Sequence, residues 1–447
     1  MRFKKLLLIP ALLGLGLGGL TGCGNKQGPA EFTIWTFSSE MGKLVRKYYS
    51  NHIVDVQNKQ KVTAVQDDFE AYLKNGKTLP DVLCLEAAVV ADYRQKTYDE
   101  NPLLPLENLG DLSDMYSYTK DVVTTPDNHI IGLSWQATPG GFFYRSDLAK
   151  EKLNINSPEE METTYLSSWQ GYLNLAQKCK EARIMVTSST TDPIKAFLSE
   201  RDNPWVVDNV LQMETSMFGG GTEEYNCFDV IRALHQNNYS HQTTERESDY
   251  WSDMNGNLVL GYFCSSWGLS FDLMTHATRT SGKWNMCKAP TNYFKGGTWL
   301  AVPKNAPHKQ AALEFVKYVT TNKTFLEQRC IETGDFMNSS STMAKLKDTD
   351  LSKSEFGIFL GGQTNHIEKL WEVAQSINGN LISPYDAIID GHFTSACGDF
   401  AMVGYTGQGV DPYKDDPTLM ENARNNYKAN FLVAVNKSYP TVIPPAI

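Results

Sequence analysis

Four tryptophans stand at strand-like apolar runs of the sequence or directly beside them. Trp35 ends the first such run, and Trp135 ends a later one. Trp267 follows a pair of serines, and Trp299 follows a pair of glycines. Because open α/β sheets bind ligands at their strand ends, these flat rings could stack on the apolar C–H face of a solute. The alternative for each ring is a half-buried place in the hydrophobic core.

Polar side chains near the same runs could supply hydrogen bonds to such a solute. Carboxylates accept hydrogen bonds, and an amide both donates and accepts them, which suits a ligand rich in hydroxyl groups. A solvated carboxylate on a loop is the ordinary alternative for each acidic residue. The candidates are Glu86, Asp67, Asp68, Gln136 and Asp335.

Gly296 and Gly297 directly precede Thr298 and Trp299. A glycine pair lets backbone N–H groups approach a ligand closely, or it serves only to shape a turn. The sequence contains neither a GxSxG nucleophile motif nor an HExxH zinc motif, and its 8 histidines lack paired ligand spacing. We therefore predict no catalytic residue, no metal site and no cofactor.

The amino terminus has the pattern of an export signal. Arg2, Lys4 and Lys5 precede an apolar run over residues 6–20. This run of 15 residues is shorter than the roughly 18 to 20 residues of a membrane-spanning helix. Small residues then precede Cys23, so we predict a signal peptide over 1–22 and lipidation of Cys23. The polar segment 23–30 would be a flexible, lipidated tether.

Composition limits the classes of partner. The chain has 447 residues, enough for two or three domains, and carries 41 basic against 51 acidic residues. Its net charge of −10 argues against binding to nucleic acid or to anionic membrane surfaces. Without Cys23, seven of the 8 cysteines remain; their odd number and the absence of CxxC favour isolated buried thiols, with at most one or two disulfides.

Periodicity predicts alternating strands and helices in the first part of the chain. Phe32–Trp35 reads as a strand, and Gly42–Val56 has apolar residues at helical spacing. Val62–Val65 and Asp81–Leu85 are short apolar runs typical of strands, and Lys309–Thr320 has the pattern of an amphipathic helix. This alternation favours an α/β fold with parallel strands.

Several of these segments occur in the order found in one known family. They are Thr33–Trp35, Leu79–Val82, Ile131–Trp135, Gly141–Leu148, Gly261–Trp267, Gly296–Pro303 and Ala311–Phe315. In this respect the chain resembles family 1 extracellular solute-binding lipoproteins, the sugar-binding subunits of ATP-binding-cassette (ABC) importers. One departure lies after Asp335 and Phe336, where the family's proline-containing turn is replaced by Met337–Ser340.

The resemblance implies a two-lobed, type II periplasmic-binding-protein-like α/β fold with a hinge between its lobes. Lobe one would hold 31–139 and 291–345, and lobe two would hold 140–290 and 346–447. A carbohydrate ligand would bind between the lobes, which would close around it. The protein would be a monomer on the extracytoplasmic face of the cell membrane, held there by its lipid anchor, and would deliver the sugar to separate permease subunits.

Two other functions remain open from the sequence. An exported glycoside-active enzyme needs only two carboxylates that meet in the folded chain, and a sequence does not reveal spatial pairs. The same fold could also bind a peptide, a polyamine or another small solute, because one scaffold serves many ligands. The ordered family resemblance and the absence of nucleophile and zinc motifs argue against an enzyme. The abundance of aromatic residues, with 9 Trp, 21 Tyr and 20 Phe, favours a sugar or oligosaccharide as the ligand.

Overall fold

A computed structural model describes residues 28–220, 225–405 and 416–445. The predicted signal peptide, Cys23 and most of the predicted tether lie outside the described residues. The strands, in chain order, are β1 (Phe32–Thr36), β2 (Val54–Asn58), β3 (Val82–Leu85), β4 (Leu133–Ser134), β5 (Gly140–Arg145), β6 (Met185–Thr187), β7 (Val206–Val207), β8 (Val210–Leu211), β9 (Val259–Ser265), β10 (Trp284–Cys287) and β11 (Trp299–Ala301).

The first sheet has the strand order β2-β1-β3-β11-β4. β1 runs parallel to β2 and β3, whereas β11 runs antiparallel to β3 and β4. Every residue of β3 is buried, as expected for a strand covered on both faces by helices. All strands of this sheet come from 31–139 and 291–345.

The second sheet has the order β10-β5-β9-β6 and draws its strands from 140–290. β5 pairs antiparallel with β9 and with β10, and β6 pairs parallel with β9. β9 is buried along its whole length. β7 and β8 form a separate two-stranded hairpin.

Helices pack on both sheets. In chain order they are α1 (Glu40–Tyr48), α2 (Val62–Lys74), α3 (Ala87–Arg94), α4 (Ser117–Asp121), α5 (Ser146–Leu153), α6 (Pro158–Tyr165), α7 (Trp169–Glu181), α8 (Ile194–Phe197), α9 (Thr215–Phe218), α10 (Cys227–Gln236), α11 (Ser248–Asp253), α12 (Met274–His276), α13 (Lys309–Thr321), α14 (Lys323–Thr333), α15 (Ser340–Lys347), α16 (Glu355–Phe359), α17 (His366–Ala374), α18 (Asp386–Ala401) and α19 (Pro417–Ser438). The predicted amphipathic helix is confirmed as α13, which buries Ala312, Phe315, Val316 and Val319.

Two hydrophobic cores divide the described residues. The first fills the faces of the first sheet and extends to one face of the second, and the carboxyl-terminal helices α15 to α17 contribute to it. The second lies on the other face of the second sheet and includes α18 and α19. The described residues of 346–447 are thus shared between the cores, whereas the family resemblance implies that all of this tail belongs to lobe two; the lobe boundaries in this tail stay a prediction.

Two chain segments cross between the sheets side by side. One joins the end of β4 at Ser134 to Gly140 of β5, and the other joins β10 to β11. The amide of Gly140 donates a hydrogen bond of 2.8 Å to the carbonyl of Tyr293, which ties the two crossings together. This paired connection is the place where a hinge between the sheets can lie.

Two predictions of secondary structure were wrong. The pattern over Gly42–Val56 divides into α1 and β2, and the run Val62–Val65 begins α2 rather than forming a strand. The reason is that Val65 and Phe69, four residues apart, are both fully buried on one face of a helix. Short apolar runs cannot distinguish the two structures by pattern alone.

The cysteines of the described residues are all buried and free. The sulfurs of Cys227 and Cys397 lie 4.0 Å apart, in contact but unbonded. In the described ranges, no helix combines the length and apolar character that crossing a membrane requires. Over the same ranges, no group of three or more His, Cys, Asp or Glu side chains is arranged to hold a metal ion.

Candidate ligand-binding cleft

A cleft lies between the two sheets, at the edge where the strands of the first sheet end. Phe37 and Ser38 follow β1, Glu86 follows β3 and Gln136 follows shortly after β4; all of them line the cleft. Gly297 lies just before the antiparallel strand β11, so it meets the same edge. The cleft therefore has the position that α/β sheets use for ligands.

The second sheet supplies the opposite wall. Ser265 and Trp267 come from the end of β9 and the turn after it, and Lys195 belongs to α8 beyond the end of β6. Asp390 and Thr394 reach the cleft from α18. Both sheets thus present residues from beyond their strand ends to one space.

The cleft consists of two adjoining chambers. The first, with a volume of about 440 Å³, lies mainly against the second sheet. The second, with a volume of about 360 Å³, lies mainly against the first sheet and includes Phe37 and Phe271. Arg246, Trp267 and Gly296 line both chambers and mark the junction between them.

Trp267 is held in place at this junction. Its indole Nε1 donates a hydrogen bond of 2.9 Å to the carbonyl of Lys295. The guanidinium of Arg246 lies 4.9 Å from the ring centroid, and Phe271 meets the ring at a steep angle with centroids 6.4 Å apart. A half-buried ring fixed in this way can stack on a ligand with little loss of conformational entropy.

Gly296 is needed where Trp267 approaches the chain. Its φ is +71°, a left-handed conformation that glycine adopts without strain. A Cβ atom at this position would lie 3.2 Å from Nε1 of Trp267. Gly297, with a φ of +100°, also lines the cleft. The glycine pair therefore shapes a turn and admits the indole ring at the same place.

Lys195 joins a buried carboxylate to the cleft surface. Its Nζ lies 2.8 Å from Asp192 and 3.0 Å from Glu245, and it donates to the carbonyl of Phe263 at 3.0 Å. Burial lowers the pKa of Lys195, but the two carboxylates reverse this effect and raise it. Burial raises the pKa of Asp192, which Lys195 partly opposes, whereas Lys195 lowers the pKa of Glu245. Lys195 therefore stays charged in the cleft.

Two further ion pairs line the first chamber. Arg246 lies 2.9 Å from Asp272, and Nζ of Lys295 lies 3.3 Å from Asp390. Burial raises the pKa of Asp272 although Arg246 opposes it. Arg246 also has a positive φ of +65°, an uncommon conformation for a residue with a side chain. Such conformations are often found at binding sites, where surrounding contacts hold them.

Glu86 lies where the second chamber meets the space beside α18. It caps α3, because its Oε2 accepts a hydrogen bond of 2.9 Å from the amide of Ala88. Burial raises the pKa of Glu86, while the charge of Lys295 and the helix amides lower it. The carboxylate thus has a structural contact on one side and the cleft on the other.

Gln136, which lines the cleft, contacts the buried Asp335 behind it. Nε2 of Gln136 donates a hydrogen bond of 2.7 Å to Asp335, and Ser266 donates one of 2.5 Å to the same carboxylate. Gln136 lines the second chamber, whereas Asp335 is buried and does not appear in the lining. Asp335 therefore supports Gln136 rather than facing a ligand itself.

Three of the predicted aromatic residues lie in the core instead. Trp35, Trp135 and Trp299 are between 1% and 3% exposed, so their rings have no face available for stacking. Trp35 packs against Tyr72, and the indole of Trp299 donates to the carbonyl of Thr119. The prediction that these three rings stack on a ligand was wrong, because they are buried in the hydrophobic core. Stacking stays a prediction for Trp267 alone.

Asp67 and Asp68 also lie away from the cleft. Both belong to α2, and Asp68 pairs with Lys59 at 3.0 Å. The prediction for these two residues was wrong because it interpreted Val62–Val65 as a strand, with Asp67 and Asp68 just beyond its end. Val62–Val65 is instead the start of α2, and both residues continue this helix. Five of the predicted residues do line the cleft: Glu86, Gln136, Trp267, Gly296 and Gly297.

Sequence reasoning missed the charged residues that line the first chamber. They are Lys195, Glu245, Arg246, Asp272, Lys295 and Asp390. Lys295 could have been found, because it directly precedes the predicted glycine pair. The others come from helices and loops far apart in the sequence, and only the fold brings them together.

Comparison with known proteins defines the class. A family model described as bacterial extracellular solute-binding protein matches residues 43–350, about two thirds of the chain. The chain belongs to this family, as the resemblance in its sequence predicted, and it is an extracellular solute-binding protein. A search of curated proteins found no match.

Solved structures agree with this fold. An extracellular solute-binding protein of family 1 has a TM-score of 0.66 at 18% identity, covering 91% of this chain and 100% of its own. A binding protein associated with an ABC transporter of B. animalis subsp. lactis, in complex with beta-1,6-galactobiose, has a TM-score of 0.62 at 17% identity, covering 92% and 98%. The galacto-N-biose-/lacto-N-biose I-binding protein of Bifidobacterium longum has 0.62 at 16%, covering 92% and 97%. The predicted two-lobed α/β fold is confirmed.

Proposed function

We propose that this protein is the lipid-anchored substrate-binding subunit of an ABC importer and captures a sugar or oligosaccharide outside the cell. The observation that carries the proposal is the cleft itself, where Trp267 stands among charged side chains contributed through both sheets. The named ligands of two relatives, both saccharides, favour the same ligand class.

The chemistry of the cleft suits a sugar. A pyranose ring has an apolar C–H face that can stack on an indole and a rim of hydroxyls that donate and accept hydrogen bonds. Trp267 offers the ring, while Lys195 and Glu245 offer a donor and an acceptor side by side. These contacts serve to hold a ligand and do not require that it react. We therefore propose that this protein binds its ligand unaltered and is not an enzyme.

Capture would work by closure of the two sheets about their paired crossing segments. Ligand contacts in the closed form must exceed those in the open form, because only this difference drives closure. The permease would then recognise the closed monomer. Small-angle scattering should detect compaction when a tight ligand is added; an unchanged radius of gyration at saturation would contradict closure.

Membrane attachment is proposed through Cys23, which lies outside the described residues. Two or more acyl chains on this cysteine would provide stable anchoring. Expression of the full chain with radiolabelled palmitate should label the protein and place it in the membrane fraction. The Cys23→Ser variant should remain unlabelled and unanchored; a labelled variant would contradict acylation at this residue.

A ligand screen tests the binding function. The chain beginning at Gly24 would be screened by thermal shift against saccharides, amino acids, peptides and polyamines, followed by calorimetry and product analysis of every hit. A tightly bound, unaltered saccharide supports the proposal. A cleaved saccharide would instead identify a glycoside-active enzyme, and stabilisation only by an amine or a peptide would overturn the ligand class.

A further inference from the structure

The two chambers and their charges carry information on the kind of saccharide. This inference rests on the proposed function. Each chamber, at about 440 and 360 Å³, falls within the range of roughly 300–1,000 Å³ that is usual for small-molecule sites. Together they offer more space than one hexose ring fills.

The chambers connect at a junction that one ligand can cross. Trp267 and Arg246 line both of them, and the guanidinium lies over the indole. The side chain of Arg246 is 47% exposed, so its guanidinium is accessible to a ligand at the junction. A chain of sugar rings could therefore pass this point with one ring on each side.

The charges of the lining disfavour an anionic ligand. Among the described lining residues, each cation already has a carboxylate partner: Lys195 has Glu245, Arg246 has Asp272 and Lys295 has Asp390. An acidic ligand would have to displace one of these partners and would meet the remaining carboxylates. A neutral hydroxyl can instead bond to either member of a pair.

The second chamber adds further carboxylates and no further cation to the described lining. Glu86 and Glu40 both line it, and Glu40 is bound to Arg329 at 2.6 Å. Phe37 and Phe271 supply apolar surface beside them. This combination fits a neutral ring with an apolar face and disfavours a carboxylate-bearing ring, which Glu86 would repel.

We infer that the cleft selects a neutral saccharide of at least two rings, with one ring in each chamber and the linkage beside Trp267. Arg246 then determines specificity at the junction, because its guanidinium is the group that the linkage passes. A single hexose occupies one chamber and leaves the other wall without a ligand.

Calorimetry on a matched panel tests this inference. The panel holds neutral disaccharides and trisaccharides, their component monosaccharides, and the same disaccharides with one hexose replaced by its uronic acid. We expect at least one neutral di- or trisaccharide to bind about 100-fold tighter than either component, and its uronic counterpart to bind at least about 10-fold weaker than the neutral form. A monosaccharide that binds as tightly as every longer sugar, or a tighter uronic form, would overturn the inference while the proposed function stands.

A pair of variants distinguishes the loss of contacts in the second chamber from a general loss of stability. Phe271→Ala removes a ring from this chamber, and Tyr98→Ala removes an exposed ring outside the cleft. We expect Phe271→Ala to reduce the preference for the longer sugar about 10-fold or more, with Tyr98→Ala unchanged. An equal preference in the wild type and Phe271→Ala would contradict occupation of both chambers. If no saccharide of any length bound, the proposed function itself would fail.

Discussion

Ser266 donates a hydrogen bond of 2.5 Å to Oδ1 of Asp335 and thereby links the end of the second sheet to the turn after α14. Gln136, in the first crossing segment, donates to the other oxygen of the same carboxylate at 2.7 Å. One buried carboxylate therefore connects a crossing segment with residues on both sides of the cleft. Burial raises the pKa of Asp335, and the hydrogen bonds from Ser266 and Gln136 oppose this effect. The buried carboxylate is therefore stabilised by these two donors.

Ser266→Ala should destabilise the fold. The change removes one donor from a carboxylate that is 2% exposed, and we expect a loss of about 1–3 kcal/mol in the free energy of unfolding. Chemical denaturation measures it, with the exposed Ser248→Ala as the matched control. If the two variants were equally stable, the Asp335 contact would not contribute as described.

Two tryptophan variants should separate binding from stability. Trp267→Ala removes a ring at the cleft junction, and we expect at least about a 10-fold loss of saccharide affinity with a small change in stability. Trp299→Ala empties a core site and should cost about 3–5 kcal/mol of folding free energy. Calorimetry and denaturation check both; a Trp267→Ala protein with unchanged affinity would remove the stacking platform.

The two carboxylates around Lys195 should differ in their contributions to stability. Asp192 is fully buried and accepts hydrogen bonds from Lys195 and from the amide of Phe263, so Asp192→Ala leaves buried donors without an acceptor and should cost about 3–5 kcal/mol. Glu245 is 42% exposed, and Glu245→Ala should change stability by less than about 1 kcal/mol. Denaturation curves of both variants provide the comparison, and equal losses would contradict the assignment of Asp192 as the structural partner.

Asp386 should make stability depend on pH. Burial and the nearby Asp390 raise its pKa to about 7, although Arg201 opposes them. In the unfolded chain the group ionises near its ordinary value of about 3.9. Between these values Asp386 binds more protons in the folded state, so its contribution to the free energy of unfolding falls as the pH rises from about 4 to about 7.

Asp386→Asn removes this group from the titration and should make that decline shallower. Unfolding at intervals between about pH 4 and pH 8 would measure the slope. Asp350→Asn is a suitable control, because hydrogen bonds from Ser352 lower the pKa of that exposed carboxylate. A slope in Asp386→Asn identical to the wild type would contradict the raised pKa.

The sequence predicted the fold more completely than the site. Local patterns and the order of family segments were enough for the two-lobed architecture and for α13. They failed at Val62–Val65, which begins a helix because Val65 and Phe69, four residues apart, are buried on the same helical face. The same error explains why Asp67 and Asp68 were wrongly predicted to line the cleft. They would follow a strand end only if Val62–Val65 were a strand.

Residue type alone did not distinguish cleft from core tryptophans. In the sequence, Trp267 and Trp299 both accompany strand-like runs, yet in the structure only Trp267 lies beyond a strand end with its ring at the cleft. Trp299 lies within β11, between Leu85 and Ser134 of its neighbours, and points into the core. Ion pairs such as Lys295 with Asp390 join residues from distant segments, so no sequence pattern predicted them.

Calorimetric titration of the chain beginning at Gly24 with the saccharide found by screening, in parallel with its Trp267→Ala variant, tests the central claim most directly. We predict one bound saccharide per chain, recovered unaltered, and a loss of at least about 10-fold in affinity in the variant. Saccharide binding that persists at full strength in a folded Trp267→Ala protein would contradict a ligand site in this cleft.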